Sequence, residues 1–191
     1  MSRILIFDNY DSFTYNLVHY VKDFGAHQVD VYRNDQIALD EIDHYDGIIL
    51  SPGPGLPAEA GLLMPLIRKY APSKQILGVC LGQQAIAEVF GGSLINLSKV
   101  HHGVATAIDL LEPKHYLFEG LDTRLEVGRY HSWVVNPADL PQCLRVTALA
   151  DHGEIMALCH TEYDVCGVQF HPESILTPNG KEMMFNWLKR L

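Results

Sequence analysis

Short apolar runs alternate with stretches of helical periodicity in the first half of the chain. A helix is predicted over 13–24, because Leu17, Val18 and Val21 fall on one face. Further helices are predicted over about 61–70 and 81–90, and the strands between them cover 3–7, 28–32, 47–50 and 76–79. Strands that alternate with helices predict a parallel sheet that is covered on both faces.

The pattern changes after Gly92, where short β-like runs become more frequent. They cover 93–95, 105–110, 125–130, 144–148, 155–159 and 165–170. We interpret them as an added, partly antiparallel region on the same sheet. A helix over 181–191 closes the chain, with an apolar stripe of Met184, Trp187, Leu188 and Leu191. With no repeat or linker, residues 1–191 are predicted to form one α/β domain with a mostly parallel central sheet flanked by helices.

Composition and charge narrow the class of protein. Of the 191 residues 48% are hydrophobic and 19% charged, which suits a large buried core. The net charge of −9 argues against a nucleic-acid partner, because such proteins usually present a basic face. No apolar run is long enough for a signal peptide or a membrane span. We therefore expect a cytoplasmic protein with neither a nucleic-acid nor a membrane partner.

The cysteines Cys80, Cys143, Cys159 and Cys166 have no C-x-x-C spacing. Free thiols in a reducing compartment fit this pattern better than disulfides or a zinc site. At Cys143, Cys159 and Cys166 we expect small buried apolar side chains. No metal or other cofactor is expected.

Cys80 lies within Gly78-Val79-Cys80-Leu81-Gly82, between a predicted strand and a predicted helix. This is the G-x-nucleophile-x-G form of a nucleophile elbow, a strained turn that exposes its central side chain. The following helix favours a thiolate at its N-terminus and offers free N–H groups to a developing oxyanion. On these five residues alone, a tight turn with a buried cysteine explains the pattern equally well.

A second candidate group, His171-Pro172-Glu173, follows the predicted strand over 165–170. A cysteine nucleophile needs a base that also protonates the leaving amine, and histidine suits both tasks. A carboxylate can fix the imidazole tautomer and stabilise its charged form. Alone, such a pair is more often a solvated loop; together with Cys80 it favours a catalytic triad.

Two more loops follow predicted strands. Ser51-Pro52-Gly53-Pro54-Gly55 is stiff and exposes its backbone amides, although an ordinary Pro/Gly turn has the same composition. Asp8-Asn9-Tyr10-Asp11-Ser12 opens a helix, and Asp11 or Ser12 can be simple helix caps there.

Over nearly its full length the chain resembles the class I (triad) glutamine amidotransferases, and within them the small subunits of anthranilate synthase and aminodeoxychorismate synthase. The segments that carry the resemblance are 8–16, 51–55, 78–84, 130–132 and 167–174. The first of them points to the chorismate-using subgroup. His102-Gly103, after Lys99, matches a further family segment near the partner face, and we expect the adjacent His101 to lie on the surface.

The resemblance implies a triad of Cys80, His171 and Glu173. It further implies an oxyanion hole formed by the backbone amides of Gly53 and Leu81. The residues that it assigns to glutamine binding are Gly53, Gly55, Gln84, Ser132 and Trp133. The chain departs from many relatives at Gln83 and at Trp133, where histidine and leucine are common.

Three functions follow from these patterns. The leading hypothesis is an amidotransferase subunit that hydrolyses L-glutamine and supplies ammonia to a chorismate-using synthase large subunit, whose product is anthranilate or aminodeoxychorismate. A stand-alone cysteine hydrolase of another γ-glutamyl compound, or an amidotransferase that serves a different acceptor, is the alternative. A non-catalytic regulatory subunit fits less well, because such a protein should lack a triad residue and this chain has all three.

Overall fold

The computed structural model of the chain describes residues 1–98 and 100–191, so that Lys99 lies outside the described residues. The parallel half of the main sheet has the order β2-β1-β3-β4-β11. Its strands are β1 Arg3–Asp8, β2 Gln28–Arg33, β3 Gly47–Leu50, β4 Gln75–Val79 and β11 Val165–Val168. The predicted strands of the first half are thereby confirmed, and 47–50 agrees to the residue.

Antiparallel strands extend the same sheet beyond β11, in the order β11-β10-β9-β6-β7. They are β10 Ile155–His160, β9 Leu144–Ala150, β6 Val104–Leu110 and β7 Arg124–Arg129. The predicted antiparallel addition is confirmed for these runs. For residues 93–95 it is wrong, because β5 Leu94–Asn96 pairs with β8 Trp133–Val135 in a separate sheet. The sequence pattern does not predict β8.

Helices cover both faces of the parallel half, as predicted. They are α1 Thr14–Phe24, α2 Leu63–Tyr70, α3 Leu81–Val89 and α4 Gly180–Leu188. Alternate side chains of β1 point to opposite faces: Ile4 and Ile6 share a buried cluster with α1 and α4, and Leu5 and Phe7 share one with α2 and α3. No helix in the described part of the chain is both long enough and apolar enough to cross a bilayer.

Short 3-10 helices join several of these elements, and the sequence pattern does not predict them. They are Leu39–His44, Pro57–Glu59, Tyr116–Phe118 and Pro137–Asp139. The cysteines are free, as expected; Cys159 and Cys166 are buried, and Cys143 is half-buried.

The carboxyl ends of the parallel strands meet at one edge of the sheet. Phe7 of β1 pairs with Leu50 of β3, and Val79 of β4 pairs with Val168 of β11. The loops that follow β1, β3, β4 and β11 therefore start side by side, and they contain all the candidate segments for chemistry except 130–132. Open α/β sheets place their ligands at this edge.

Candidate active site

Cys80 occupies a strained turn between β4 and α3. Its backbone has φ 52° and ψ −100°, a conformation that a residue with a side chain rarely adopts. The turn is tight: a Cβ on Gly78 would lie 2.5 Å from the carbonyl carbon of Gly82. The Cys80 N–H donates to the Val168 carbonyl oxygen at 2.8 Å, which ties the turn to β11. The sequence therefore forms the predicted nucleophile elbow.

His171 and Glu173 form a buried pair beyond the end of β11. Nδ1 of His171 lies 2.6 Å from Oε1 of Glu173, and 5% and 0% of the two side chains are exposed. A carboxylate accepts only, so the imidazole carries its proton on Nδ1 and turns Nε2 away from Glu173. Their approach, predicted from the spacing of two residues, is found in the structure.

Burial of the His171 imidazole would by itself lower its pKa. The neighbouring Cys80 thiol and the Glu173 carboxylate outweigh burial, and they hold the pKa of His171 well above its usual value. Nε2 of His171 makes no hydrogen bond within residues 1–98 and 100–191. A proton on Nε2 is thus stabilised by the site and remains available for transfer.

A cleft of about 310 Å³ opens beside the Cys80 side chain. It is lined by Gly53, Pro54, Gly55, Leu56, Cys80, Gln84, Tyr130, His131, Ser132 and Trp133. Its volume is at the small end of ligand pockets and suits a molecule of amino-acid size. Every residue expected to bind glutamine lines this cleft.

Gln84 points into the site from α3 with a fixed amide orientation. Its Nε2 donates to the Trp133 carbonyl oxygen at 2.9 Å and to Oε1 of Gln169 at 3.1 Å. Nε2 of Gln169 in turn lies 3.5 Å from the Cys80 sulfur. Because both N–H groups of Gln84 are used within the protein, its carbonyl oxygen is the group that it can offer to a ligand donor.

The Gly53 loop packs directly against the loop after β1. A Cβ on Gly53 would lie 2.5 Å from the Asn9 carbonyl oxygen and 3.0 Å from the Leu81 side chain, so only glycine fits. Asn9 fixes the loop by donating its backbone N–H to Oγ of Ser51 at 2.8 Å and its Nδ2 to the Ser51 carbonyl at 2.9 Å. Within the described residues neither the Gly53 nor the Leu81 amide donates a hydrogen bond, which leaves both for a ligand oxygen.

The ring of Tyr130 packs against the His171 imidazole. Its ring centroid lies 4.8 Å from that of His171, and its hydroxyl lies 3.0 Å from Oγ of Ser174. The ring centroids of Phe13 and His102 lie 6.0 and 6.2 Å from that of Tyr130. Tyr130 thus contacts His171 and also lines the cleft.

Several residues near this site differ in burial or role from what their local sequence predicts. His101, expected on the surface, is 7% exposed, and its ring lies 5.5 Å from that of His131. Nothing in the local sequence indicates that His101 is buried, because its burial depends on packing near His131, thirty positions away. Asp11 and Ser12 do not cap α1, although Oδ2 of Asp11 accepts from the Phe13 N–H at 2.7 Å. Gln83 is fully buried and does not line the cleft.

Comparison with known proteins agrees with this geometry. Residues 5–191 match the family model described as "Glutamine amidotransferase class-I". The chain belongs to the class I glutamine amidotransferases. It is 47% identical to the aminodeoxychorismate/anthranilate synthase component 2 of Bacillus subtilis, over 97% of this chain and 95% of that protein. It is 48% identical to the aminodeoxychorismate synthase component 2 of Escherichia coli, over 98% of this chain and 100% of that protein.

The fold of this amidotransferase also matches solved structures. A Thermoplasma acidophilum protein assigned as a GMP synthase subunit superposes with a TM-score of 0.88 at 25% identity, over 99% of this chain and 93% of that one. The predicted α/β architecture, with its parallel centre and antiparallel addition, is therefore confirmed as that of the family.

The raised pKa of His171 gives a first prediction. Glu173→Gln keeps the shape of the side chain but removes the charge that favours the imidazolium, so the pKa of His171 should fall. As pH rises, the variant should lose the His171 proton at a lower pH than the unaltered chain. An NMR titration of the His171 ring protons measures this directly. Glu162→Gln, a change at an exposed position, should leave the titration unchanged; an identical titration in Glu173→Gln would show that Glu173 does not set this pKa.

Proposed function

We propose that this chain hydrolyses L-glutamine to glutamate and ammonia through a thioester on Cys80. The observation that carries the proposal is the juxtaposition of the strained Cys80 turn with a cleft of amino-acid size and the buried His171–Glu173 pair. Family membership and the names of the relatives support the same reaction.

In the first half of the reaction the Cys80 thiolate attacks the side-chain carbonyl carbon of glutamine. The carbonyl oxygen becomes an oxyanion, which the free amides of Gly53 and Leu81 stabilise. His171 gives its Nε2 proton to the amide nitrogen as the carbon–nitrogen bond breaks. The products of this half are ammonia and a γ-glutamyl thioester on Cys80.

Water completes the cycle. The imidazole of His171, now neutral, takes a proton from water as its oxygen attacks the thioester carbonyl. Collapse of the second tetrahedral intermediate breaks the carbon–sulfur bond, frees glutamate and restores the thiolate–imidazolium pair. Glu173 keeps the imidazole oriented throughout through its 2.6 Å contact with Nδ1.

Other polar groups of the cleft suit recognition of glutamine. Gln84 offers a carbonyl oxygen, which accepts from an amide or ammonium donor. Gly55 and the Ser132–Trp133 backbone line the same cleft. We assign these groups to recognition of glutamine, as the family resemblance implies.

Removal of the nucleophile tests the reaction. Cys80→Ser should lower glutamine hydrolysis by on the order of 10³-fold or more, because the hydroxyl is a far weaker nucleophile at neutral pH. Cys143→Ser is the matched control, and it should retain the activity because Cys143 does not line the cleft. Ammonia release measured by a coupled assay decides the matter, and undiminished hydrolysis by Cys80→Ser would rule the mechanism out.

We further propose that the ammonia serves a chorismate-using synthase large subunit, in the cytoplasm. The relatives are named as component 2 of aminodeoxychorismate and anthranilate synthases, which supports a component 1 partner. Both products stand among those names, so either reaction is open to the partner. The free cysteines fit a reducing compartment.

Exposed apolar side chains in the segment after β1 and in the loop after β11 suit this partner. We call Tyr10, Phe13, Tyr15 and Ile175 the docking surface; they are 47%, 44%, 64% and 95% exposed. Exposed aromatic side chains of this kind are enriched at protein interfaces. Three of these side chains lie in segment 8–16, where we propose that the partner docks, and Asn9 of that segment holds the Gly53 loop. Docking there can therefore influence the oxyanion hole.

Matched tyrosine variants test the docking surface. Tyr15→Ser should weaken binding of the large subunit by about tenfold and reduce its stimulation of glutamine hydrolysis, because truncation of an interface tyrosine commonly costs more than 1 kcal/mol. Tyr32→Ser, at a 41% exposed tyrosine on β2, should bind normally. Titration calorimetry with each candidate large subunit gives the affinities, and product analysis with chorismate identifies the reaction. Failure of both large subunits to bind or stimulate the unaltered chain would refute this partner.

A further inference from the structure

His131 lines the cleft, but the triad mechanism gives it no task. The Nε–H of Arg129 donates to Nε2 of His131 at 3.1 Å. A guanidinium has no acceptor, so Nε2 must be unprotonated and Nδ1 must carry the imidazole proton. Nδ1 lies 3.1 Å from the Trp133 carbonyl oxygen, which can only accept. The two contacts therefore fix His131 as the neutral Nδ1–H tautomer.

The surroundings keep this imidazole neutral. Burial, aided by the charge of Arg129 and by His101, lowers the pKa of His131 to about 3. Arg129 is itself 2% exposed, and its Nη1 lies 3.2 Å from Oε2 of Glu154. That carboxylate compensates the buried guanidinium charge and holds it against His131.

The bond from His131 ends on the wall of the proposed glutamine site. The Trp133 carbonyl accepts from Nδ1 of His131 and from Nε2 of Gln84. The preceding carbonyl, that of Ser132, accepts from the Leu97 N–H at 2.7 Å. Both carbonyls of the Ser132–Trp133 segment are thus hydrogen-bonded within the protein. These bonds fix the orientation of the peptide units in the cleft.

We propose that His131 is a positioning residue for the substrate. Its Nδ1–H bond to the Trp133 carbonyl holds the Ser132–Trp133 backbone in the orientation that binds the α-carbon end of glutamine. The inference rests on the proposed glutaminase function and extends it to residues outside the triad. Because His131 acts on the binding wall, its loss should raise KM for glutamine far more than it lowers kcat.

Two amide variants separate the two bonds of the imidazole. In His131→Asn the side-chain nitrogen takes the place of Nδ1, so the bond to the Trp133 carbonyl is kept and the bond from Arg129 is lost. In His131→Gln the amide reaches the place of Nε2, so an acceptor for Arg129 is kept and the donor to Trp133 is lost. Each variant loses one of the two hydrogen bonds. A general loss of packing at position 131 would change KM to the same extent in both variants.

Steady-state kinetics of glutamine hydrolysis tests the proposal. We expect KM to rise about tenfold in His131→Gln and to stay within about threefold in His131→Asn, with kcat of both within about threefold of the unaltered chain. Equal KM values in the two variants, or a larger rise in His131→Asn, would overturn the role of His131. The proposed function would still stand in that case. Absence of glutamine hydrolysis in the unaltered chain would overturn the proposed function and this inference with it.

A measurement on the unaltered chain keeps the proposal testable if a variant fails to fold. Nitrogen-15 NMR of the histidine rings distinguishes a protonated from an unprotonated ring nitrogen. The proposal requires His131 to show a protonated Nδ1 and an unprotonated Nε2 between about pH 6 and pH 8. An Nε2–H tautomer or an imidazolium in this range would contradict it.

Discussion

The strained backbone of Cys80 is the constraint on which the site depends. A φ of 52° at a residue with a side chain costs on the order of 1–3 kcal/mol, which the surroundings must supply. They do so through the close approach of Gly78 to Gly82 and through the bond from the Cys80 N–H to Val168. This conformation places Cys80 at the carboxyl end of β4, and α3 starts at the next residue, so the Cys80 thiol and the Leu81 amide arise from one turn.

The remaining groups come from different parts of the fold. The parallel half supplies the Gly53 loop after β3 and the His171–Glu173 pair after β11. The segment that follows β7 supplies further cleft residues, among which His131 accepts from Arg129 of β7 and donates to the carbonyl of Trp133 in β8. The buried Arg129 and His171 next to these segments are each paired with a carboxylate, that of Glu154 and that of Glu173.

The sequence predicts the elements whose signal is local. The apolar run 47–50 is bounded by Asp46 and Ser51, and the strand found there has the same limits. Cys80, His171 and Glu173 could be selected as candidates because each follows a predicted strand, and the carboxyl ends of parallel strands meet. The family resemblance then adds the residues that line the cleft to the candidates.

What could not be predicted depends on long-range contacts. β8 is only three residues long, and its partner β5 lies far away along the chain, so no periodicity indicates it. The burial of His101 and the tautomer of His131 are set by contacts between side chains of neighbouring segments, which leave no mark in the local sequence. The 3-10 helices are likewise too short to show a repeat.

Intact-protein mass spectrometry after acid quenching tests the central claim most directly. The chain mixed with saturating glutamine should gain the mass of one glutamyl group, because acid traps the thioester before water attacks it. Peptide mapping should locate the added group on Cys80. A glutamyl group on another residue, or glutamine turnover without any trapped adduct across the quench times of the first cycle, would contradict acylation of Cys80.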